Sequence, residues 1–238
     1  MRNTLMKQVY IMSVNPRKCG MNNSKLHVKG ILFDLDGTIL DTKPAYIEAA
    51  RVAFKAIGQE MLENDSALEI PKRMEQKQHI RDIVIGDSNA FLETYLKTFY
   101  SVCASKTKPF PRTAETLATL SSKAKLAVIT MRYVQYKTVA SELRHFKLDK
   151  YFSHIVTALD TRKPKPSPEA LIKAVAAMDV EMCECVIVGD SIVDVEAGRL
   201  AGAKTVSVLT GLYSQEELSR AKPDYIISGV AELPALFI

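Results

Sequence analysis

Six short apolar runs, rich in β-branched residues, constrain the fold of this chain more than any other feature. They span 28–33, 126–129, 154–157, 185–188, 205–209 and 225–227, and most are closed by a polar residue or a glycine. Such runs read as strands buried on both faces, the pattern of a parallel sheet. Helical patterns lie between them. Residues 113–122 place Leu117 and Leu120 three apart, and 134–146 carry Val139, Leu143 and Phe146 on one face. Ser167, Pro168 and Glu169 read as an N-cap, a first-turn proline and a first-turn acid, opening a helix that runs to about Met178. A short helix over 194–201 is closed by Gly202. Strand alternating with helix predicts an α/β fold: a doubly wound, mainly parallel, Rossmann-like sheet.

One stretch breaks the alternation. About 90 residues separate the first two strands, far more than a crossover helix requires. Thr42 or Asp41 can cap a helix that buries Tyr46, Ile47, Ala50, Phe54 and Ile57 and stops at Gly58. Residues 67–85 are mostly helical in composition, with Pro71 near a start. Asp87 or Ser88 caps a third segment carrying Phe91, Leu92, Tyr95, Leu96, Phe99 and Val102. The division expected is a basic extension at 1–26, an α/β core at 27–42 and 108–238, and an inserted helical cap at 43–107.

Composition excludes several classes. With 47% apolar and 25% charged residues the chain is too apolar to be disordered. No apolar run approaches the ~18 residues of a membrane helix. The net charge of +5 is unevenly placed. Residues 1–33 hold six basic residues and no acid, whereas 34–238 hold 26 basic and 27 acidic. Six charges over 33 residues make a diffuse cluster, so no nucleic-acid or membrane partner is expected, and Met21 is an alternative start. The arm lacks the apolar core of a secretory signal, and the expected location is the cytoplasm. Cys19 and Cys103 stand alone, and Cys183 and Cys185 form a C-x-C pair at the entrance to a strand, read as buried or half-buried thiols.

The chemistry gathers at strand ends. Phe33-Asp34-Leu35-Asp36-Gly37-Thr38 delivers two carboxylates to the C-terminal end of a buried strand, where open α/β sheets bind ligands. Two neighbouring carboxylates repel unless a cation or a proton separates them, which points to a hard divalent ion such as Mg²⁺. The same tetrad also reads as a plain turn after a strand. Asp190 and Asp194, four apart, follow another strand and stack on one face if the helix starts at Asp190. Ile85-Gly86-Asp87-Ser88 repeats the tetrapeptide, but its fourth position onward from the acid is Phe91, so Asp87 reads as a helix cap. Thr130 ends the second strand and can offer a hydroxyl and a backbone N–H to a phosphoryl oxygen. Lys163 lies in Arg162-Lys163-Pro164-Lys165-Pro166, a loop stiffened by alternating prolines, and can bring positive charge to the same oxygens.

Taken together and in this order, these four blocks resemble the haloacid dehalogenase superfamily over about 34–210. The run from Gly189 to Gly202 is similar to its phosphoglycolate-phosphatase-like branch, where Ala197, Gly198 and Ala201 would let a helix pack close to the sheet. The resemblance implies a Mg²⁺-dependent phosphatase acting on a small phosphorylated metabolite. Asp34 would be the nucleophile that forms an aspartyl-phosphate, and Asp36 would protonate the leaving oxygen and then take a proton from water. Thr130 and Lys163 would hold phosphoryl oxygens. Asp34, Asp190 and the backbone carbonyl of Asp36 would bind the metal, with Asp194 in support. The retained Asp36 argues against carbon–halogen hydrolysis. The alternatives are a phosphosugar mutase using the same intermediate and a catalytically idle binding module. Relatives often carry an asparagine after the strand-end threonine, whereas Met131-Arg132 follows Thr130 here; Arg132 would either add a phosphate or substrate contact or point to solvent. The basic segment 72–81 would attract an anionic leaving group or form a solvated face, and His79 reads as a surface residue. Monomer and dimer stay open.

Overall fold

The computed structural model describes residues 26–60 and 63–237. The basic extension, Cys19 and Met21 lie outside the described residues, apart from Leu26, which forms a bridge to Phe237.

All six expected strands form one sheet: β1 (Gly30–Phe33), β4 (Lys125–Ile129), β5 (His154–Val156), β6 (Cys185–Gly189), β7 (Lys204–Val208) and β8 (Tyr225–Ile227). The order is β5-β4-β1-β6-β7-β8 and every pairing is parallel. Because strand side chains alternate, each strand feeds two cores. Ile31, Phe33, Leu126, Val128, Val186 and Val188 point to one face, and Leu32, Ala127, Ile129 and Ile187 to the other. The first face is covered by α4 (Thr113–Ser121), α5 (Tyr136–His145) and α9 (Leu233–Leu236), through Leu117, Leu120, Val139, Leu143 and Leu233. The second is covered by α6 (Glu169–Met178) and α7 (Ile192–Ala201), through Leu171, Ala174, Met178 and Ala197. Each fully buried aliphatic side chain contributes about 1.5–3 kcal/mol relative to exposure. Gly198 carries the α7 contact: a Cβ there would stand 2.5 Å from Ile187 Cγ2 and 2.6 Å from Thr205 Cγ2. Close packing of α7 on the sheet therefore needs the glycine, as expected from the small-residue pattern.

A separate hydrophobic cluster lies between β1 and β4 in the chain. It is built by α1 (Lys43–Ala56), α2 (Asn64–Glu75) and α3 (Ser88–Lys106), through Ala49, Ala53, Phe54, Ile70, Phe91 and Tyr95. Where the chain leaves and re-enters the α/β part, β2 (Leu40–Asp41) pairs antiparallel with β3 (Lys108–Pro109). Asp87 caps α3, its carboxylate accepting from the N–H groups of Asn89 and Ala90.

Three local expectations differ from the structure. The helix read over 67–85 begins at Asn64 and ends at Glu75, so Pro71 lies inside it. The polar run Gln76-Lys77-Gln78-His79 offers no apolar residue to bury, and Lys77 adopts a left-handed φ of 56°, which stops the helix. A helix over 215–221, α8 (Gln215–Ala221), was not anticipated; Ser214 and Glu217 form its reciprocal capping box. Cys183 is exposed rather than half-buried, while Cys185 and Cys103 are buried. No helix among the described residues is long and apolar enough to cross a membrane.

Candidate active site

β1 lies between β4 and β6, where the strand order reverses, and its C-terminal edge opens the crevice that such sheets use for ligands. Asp34 follows β1 directly, and its N–H donates to the Val188 carbonyl of β6 at 2.8 Å. The loop beyond it turns at Gly37, which adopts φ +83°; a Cβ there would stand 2.5 Å from the Asp190 carboxylate. The glycine thus both permits the turn and makes room for Asp190.

Asp34, Asp190 and Asp194 are buried, and one carboxylate oxygen of each lies within 4.8 Å of the others. The helix start differs from the one expected: α7 begins at Ile192, with Ser191 as its N-cap and Asp194 as the acid of a capping box. Asp194 Oδ2 accepts from the Ser191 N–H at 3.2 Å and hydroxyl at 2.9 Å, which leaves Oδ1 facing the cluster. Asp190 is held by Thr38, whose hydroxyl donates at 2.9 Å. Burial and then mutual repulsion penalise these charges. Burial, Asp194 and Asp36 push Asp34 up to about 8 even though Lys165 pulls the other way. Asp190 is raised well above the carboxylate range by burial, with Asp34 and Asp194 adding to it. A cluster of oxygen donors whose charges repel in this way suits a hard divalent cation, and its chemistry fits Mg²⁺.

The lysine at this cluster is Lys165, not Lys163. Lys165 is buried, and its Nζ donates to Asp34 Oδ1 and Asp194 Oδ1, both at 2.6 Å, and to the Ile129 carbonyl at 3.3 Å. Burial works against its charge, but Asp194 and Asp34 outweigh that, and its pKa rises. Lys163 is exposed; its backbone N–H donates to Glu169 at 3.3 Å. Only Pro164 separates the lysines, and only the one nearer the α6 entry reaches under the strand ends.

Thr130 is buried at the end of β4, but its N–H is taken by the Val156 carbonyl at 3.0 Å, so only its hydroxyl stays available to a ligand. That oxygen accepts from the Arg132 N–H at 3.2 Å. Arg132 neither points to solvent nor offers a free guanidinium. It is buried, its Nε donates to Asp36 Oδ2 at 2.8 Å and its Nη2 to Asp36 Oδ1 at 2.5 Å, and its Nη1 is bonded to Glu142 of α5. Burial opposes this charge as well, yet Asp36 raises its pKa further. Asp36 also accepts from the Thr42 hydroxyl at 2.7 Å, and Glu142 from Thr107 at 2.9 Å. Sequence pattern assigns no site role to Thr38, Thr42 or Glu142; Thr42 reads as a helix cap, but its hydroxyl goes to Asp36 instead. Thr38 directly follows the Asp-x-Asp-Gly tetrad and was within reach; Glu142 carries no local signal, being one acid on an amphipathic helix.

A cavity of about 370 Å³ adjoins the cluster, with Asp34, Asp36 and Asp190 on one side and residues of α1, α2 and α3 on the other. Across this boundary Tyr213 donates to Glu75 at 2.8 Å and accepts from Gln76 at 3.1 Å, and Lys72 pairs with Glu217 at 2.6 Å. Within the basic segment 72–81, Lys72 and Arg73 are thus paired, Arg73 with Asp82, while Lys77, His79 and Arg81 are exposed.

Known proteins match this arrangement. Residues 31–208 match the haloacid dehalogenase-like hydrolase family. A phosphoglycolate phosphatase of Neisseria meningitidis is 31% identical over 90% of this chain and 95% of its own length. The pyrophosphatase PpaX of Halalkalibacterium halodurans is 27% identical over 87% and 96%. Among solved structures, a haloacid dehalogenase-like family hydrolase from Streptococcus pneumoniae superposes with a TM-score of 0.76 at 19% identity, covering 88% of this chain and 98% of that one. With the strand-end carboxylates placed as they are, the family match over three quarters of the sequence makes this chain a haloacid dehalogenase-like hydrolase.

Proposed function

We propose that the chain is a Mg²⁺-dependent phosphatase that hydrolyses a small phosphomonoester, acting in the cytoplasm through an aspartyl-phosphate on Asp34. The observation that carries this reading is the convergence of Asp34, Asp190 and Asp194 at the sheet edge with Lys165 bonded across two of them. Asp34, Asp190 and the Asp36 backbone carbonyl would hold the metal, with Asp194 in support, and the bound ion would neutralise charge on the phosphoryl oxygens.

An Asp34 oxygen attacks phosphorus as the bond to the leaving oxygen breaks, and Asp36 supplies the proton that the leaving alcohol needs. Water then attacks the phosphoryl group, Asp36 takes its proton, and Asp34 is released together with phosphate. Lys165 favours the ionised form of the Asp34 carboxylate, orients it for attack and adds positive charge beside the transferring group. The Thr130 hydroxyl donates to a phosphoryl oxygen. Arg132 and Thr42 fix the direction of the Asp36 carboxylate. Residues 43–107 serve as the cap, excluding water during transfer.

Phosphate release from a panel of monoesters, with Mg²⁺ or with EDTA, tests the reading. Asp34→Asn is nearly isosteric but cannot form the acyl phosphate, and it is expected to abolish Mg²⁺-dependent release. Equal release by both proteins would remove Asp34 from the mechanism.

A further inference from the structure

The cavity wall opposite the carboxylates is built mainly from rings. Tyr46 of α1 stacks on Phe99 of α3, with centroids 5.0 Å apart and planes 13° apart. Tyr95, Tyr100 and Tyr133 line the same space. Cations are scarce there. Arg132 is occupied by Asp36 and Glu142, and Lys165 by Asp34 and Asp194. That leaves Lys43, which has no carboxylate partner among the described residues, and the same wall carries the acid Glu75. A second anionic group on the substrate, such as phosphoglycolate and pyrophosphate each carry, would meet one lysine, one acid and aromatic faces.

The volume points the same way. About 370 Å³ falls within the ~300–1,000 Å³ of pockets that enclose whole drug-sized ligands, well beyond the needs of a two-carbon acid.

We propose that the leaving group selected here is an uncharged heteroaromatic alcohol, its ring against the Tyr46–Phe99 wall. The substrate is then a monophosphate of such an alcohol, either a nucleoside 5′-monophosphate or a phosphorylated hydroxymethyl-pyridine. This assignment rests on the phosphatase reading above.

The test compares kcat/KM of the full-length protein with Mg²⁺ on uridine and adenosine 5′-monophosphates, pyridoxal 5′-phosphate, phosphoglycolate, pyrophosphate and acetyl phosphate. At least one heteroaromatic ester is expected to exceed both phosphoglycolate and pyrophosphate by about tenfold or more, and the nucleotide and pyridoxal arms tell the two sources apart. Tyr46→Leu, which keeps much of the volume but removes a ring of the wall, is expected to cut that preference about 3- to 10-fold, chiefly through KM. Calorimetry gives a second readout, in which the product alcohol, uridine or pyridoxal, binds more tightly than glycolate. Equal or better turnover of phosphoglycolate or pyrophosphate, or tighter binding of glycolate, would overturn the assignment and leave the phosphatase reading intact. Absence of phosphate release from every ester, acetyl phosphate included, would overturn both.

Discussion

The two sides of the cavity are made by different parts of the chain and obey different rules. The sheet side is charged: Asp34, Asp36, Asp190, Asp194, Lys165 and Arg132 each have a partner within hydrogen-bond distance. The helical side is aromatic, and among the described residues lining it the one buried side-chain polar atom without a partner is the Tyr95 hydroxyl. A buried charge without a partner costs several kcal/mol, so the charged side tolerates little change. An apolar wall accepts substitutions of similar volume at smaller cost. Reaction chemistry is thus fixed on the sheet, while selectivity is free to vary on the helices.

The sharpest way to break this contrast is to exchange the two loop lysines. Lys165→Ala is expected to lower kcat about 10²- to 10³-fold in a phosphate-release assay, whereas Lys163→Ala stays within about twofold. A large loss from the Lys163 variant would return the role to that residue. Next, Glu142→Ala removes one of two carboxylates holding buried Arg132 and is expected to cost about 3 kcal/mol in urea unfolding, more than any single ring truncated by one methylene. Addition of Mg²⁺ at about 100 times its Kd should stabilise the protein by about 2.7 kcal/mol, which raises Tm by about 5–10 °C. Asp190→Asn should erase that rise, while Tyr95→Phe should not.

Glu75 tests the boundary between the two sides. Burial, and then Asp194, push its carboxyl up to about 7. The folded protein therefore keeps a proton that the unfolded chain has lost between about pH 4.5 and 7, so stability falls as pH rises through that window and stays low above it. Glu75→Gln should be more stable than the parent at pH 8, by on the order of 1–2 kcal/mol, with the difference shrinking toward pH 5 in thermal melts. The smallest effect is expected from Lys72→Met. It breaks the Glu217 pair at the same boundary and should cost under about 1 kcal/mol, with KM more sensitive than Tm.

Most of the sheet was legible because its information is local. A strand buried on both faces writes itself as an apolar run, and the six runs became six paired strands within a residue or two. The meeting of Asp34 with Asp190 was legible for a related reason: parallel strands align their C-terminal ends, so residues that close such runs converge. The lysine was misplaced because Lys163-Pro164-Lys165-Pro166 and Lys165-Pro166-Ser167-Pro168 present the same spacing. Which of the two turns inward depends on where α6 starts, and Glu169 holding the N–H groups of Arg162 and Lys163 at the surface decides it. The clamp on Asp36 was hidden because it joins Arg132 to Asp36, 96 positions away, and to an acid on α5. The α8 helix was readable from Ser214 and Glu217 alone.

The short antiparallel pair β2–β3 has a consequence for how such a molecule is put together. Asp41 and Lys108 stand opposite each other in register, so the points where the chain departs for 66 intervening positions and comes back are neighbours. Two-residue turns commonly link strands paired in this way. The helices are accordingly attached like a tool on a handle: excision between Asp41 and Lys108 leaves ends that a tight turn can rejoin, and a different insert can be grafted at the same joint without shifting the register of the sheet.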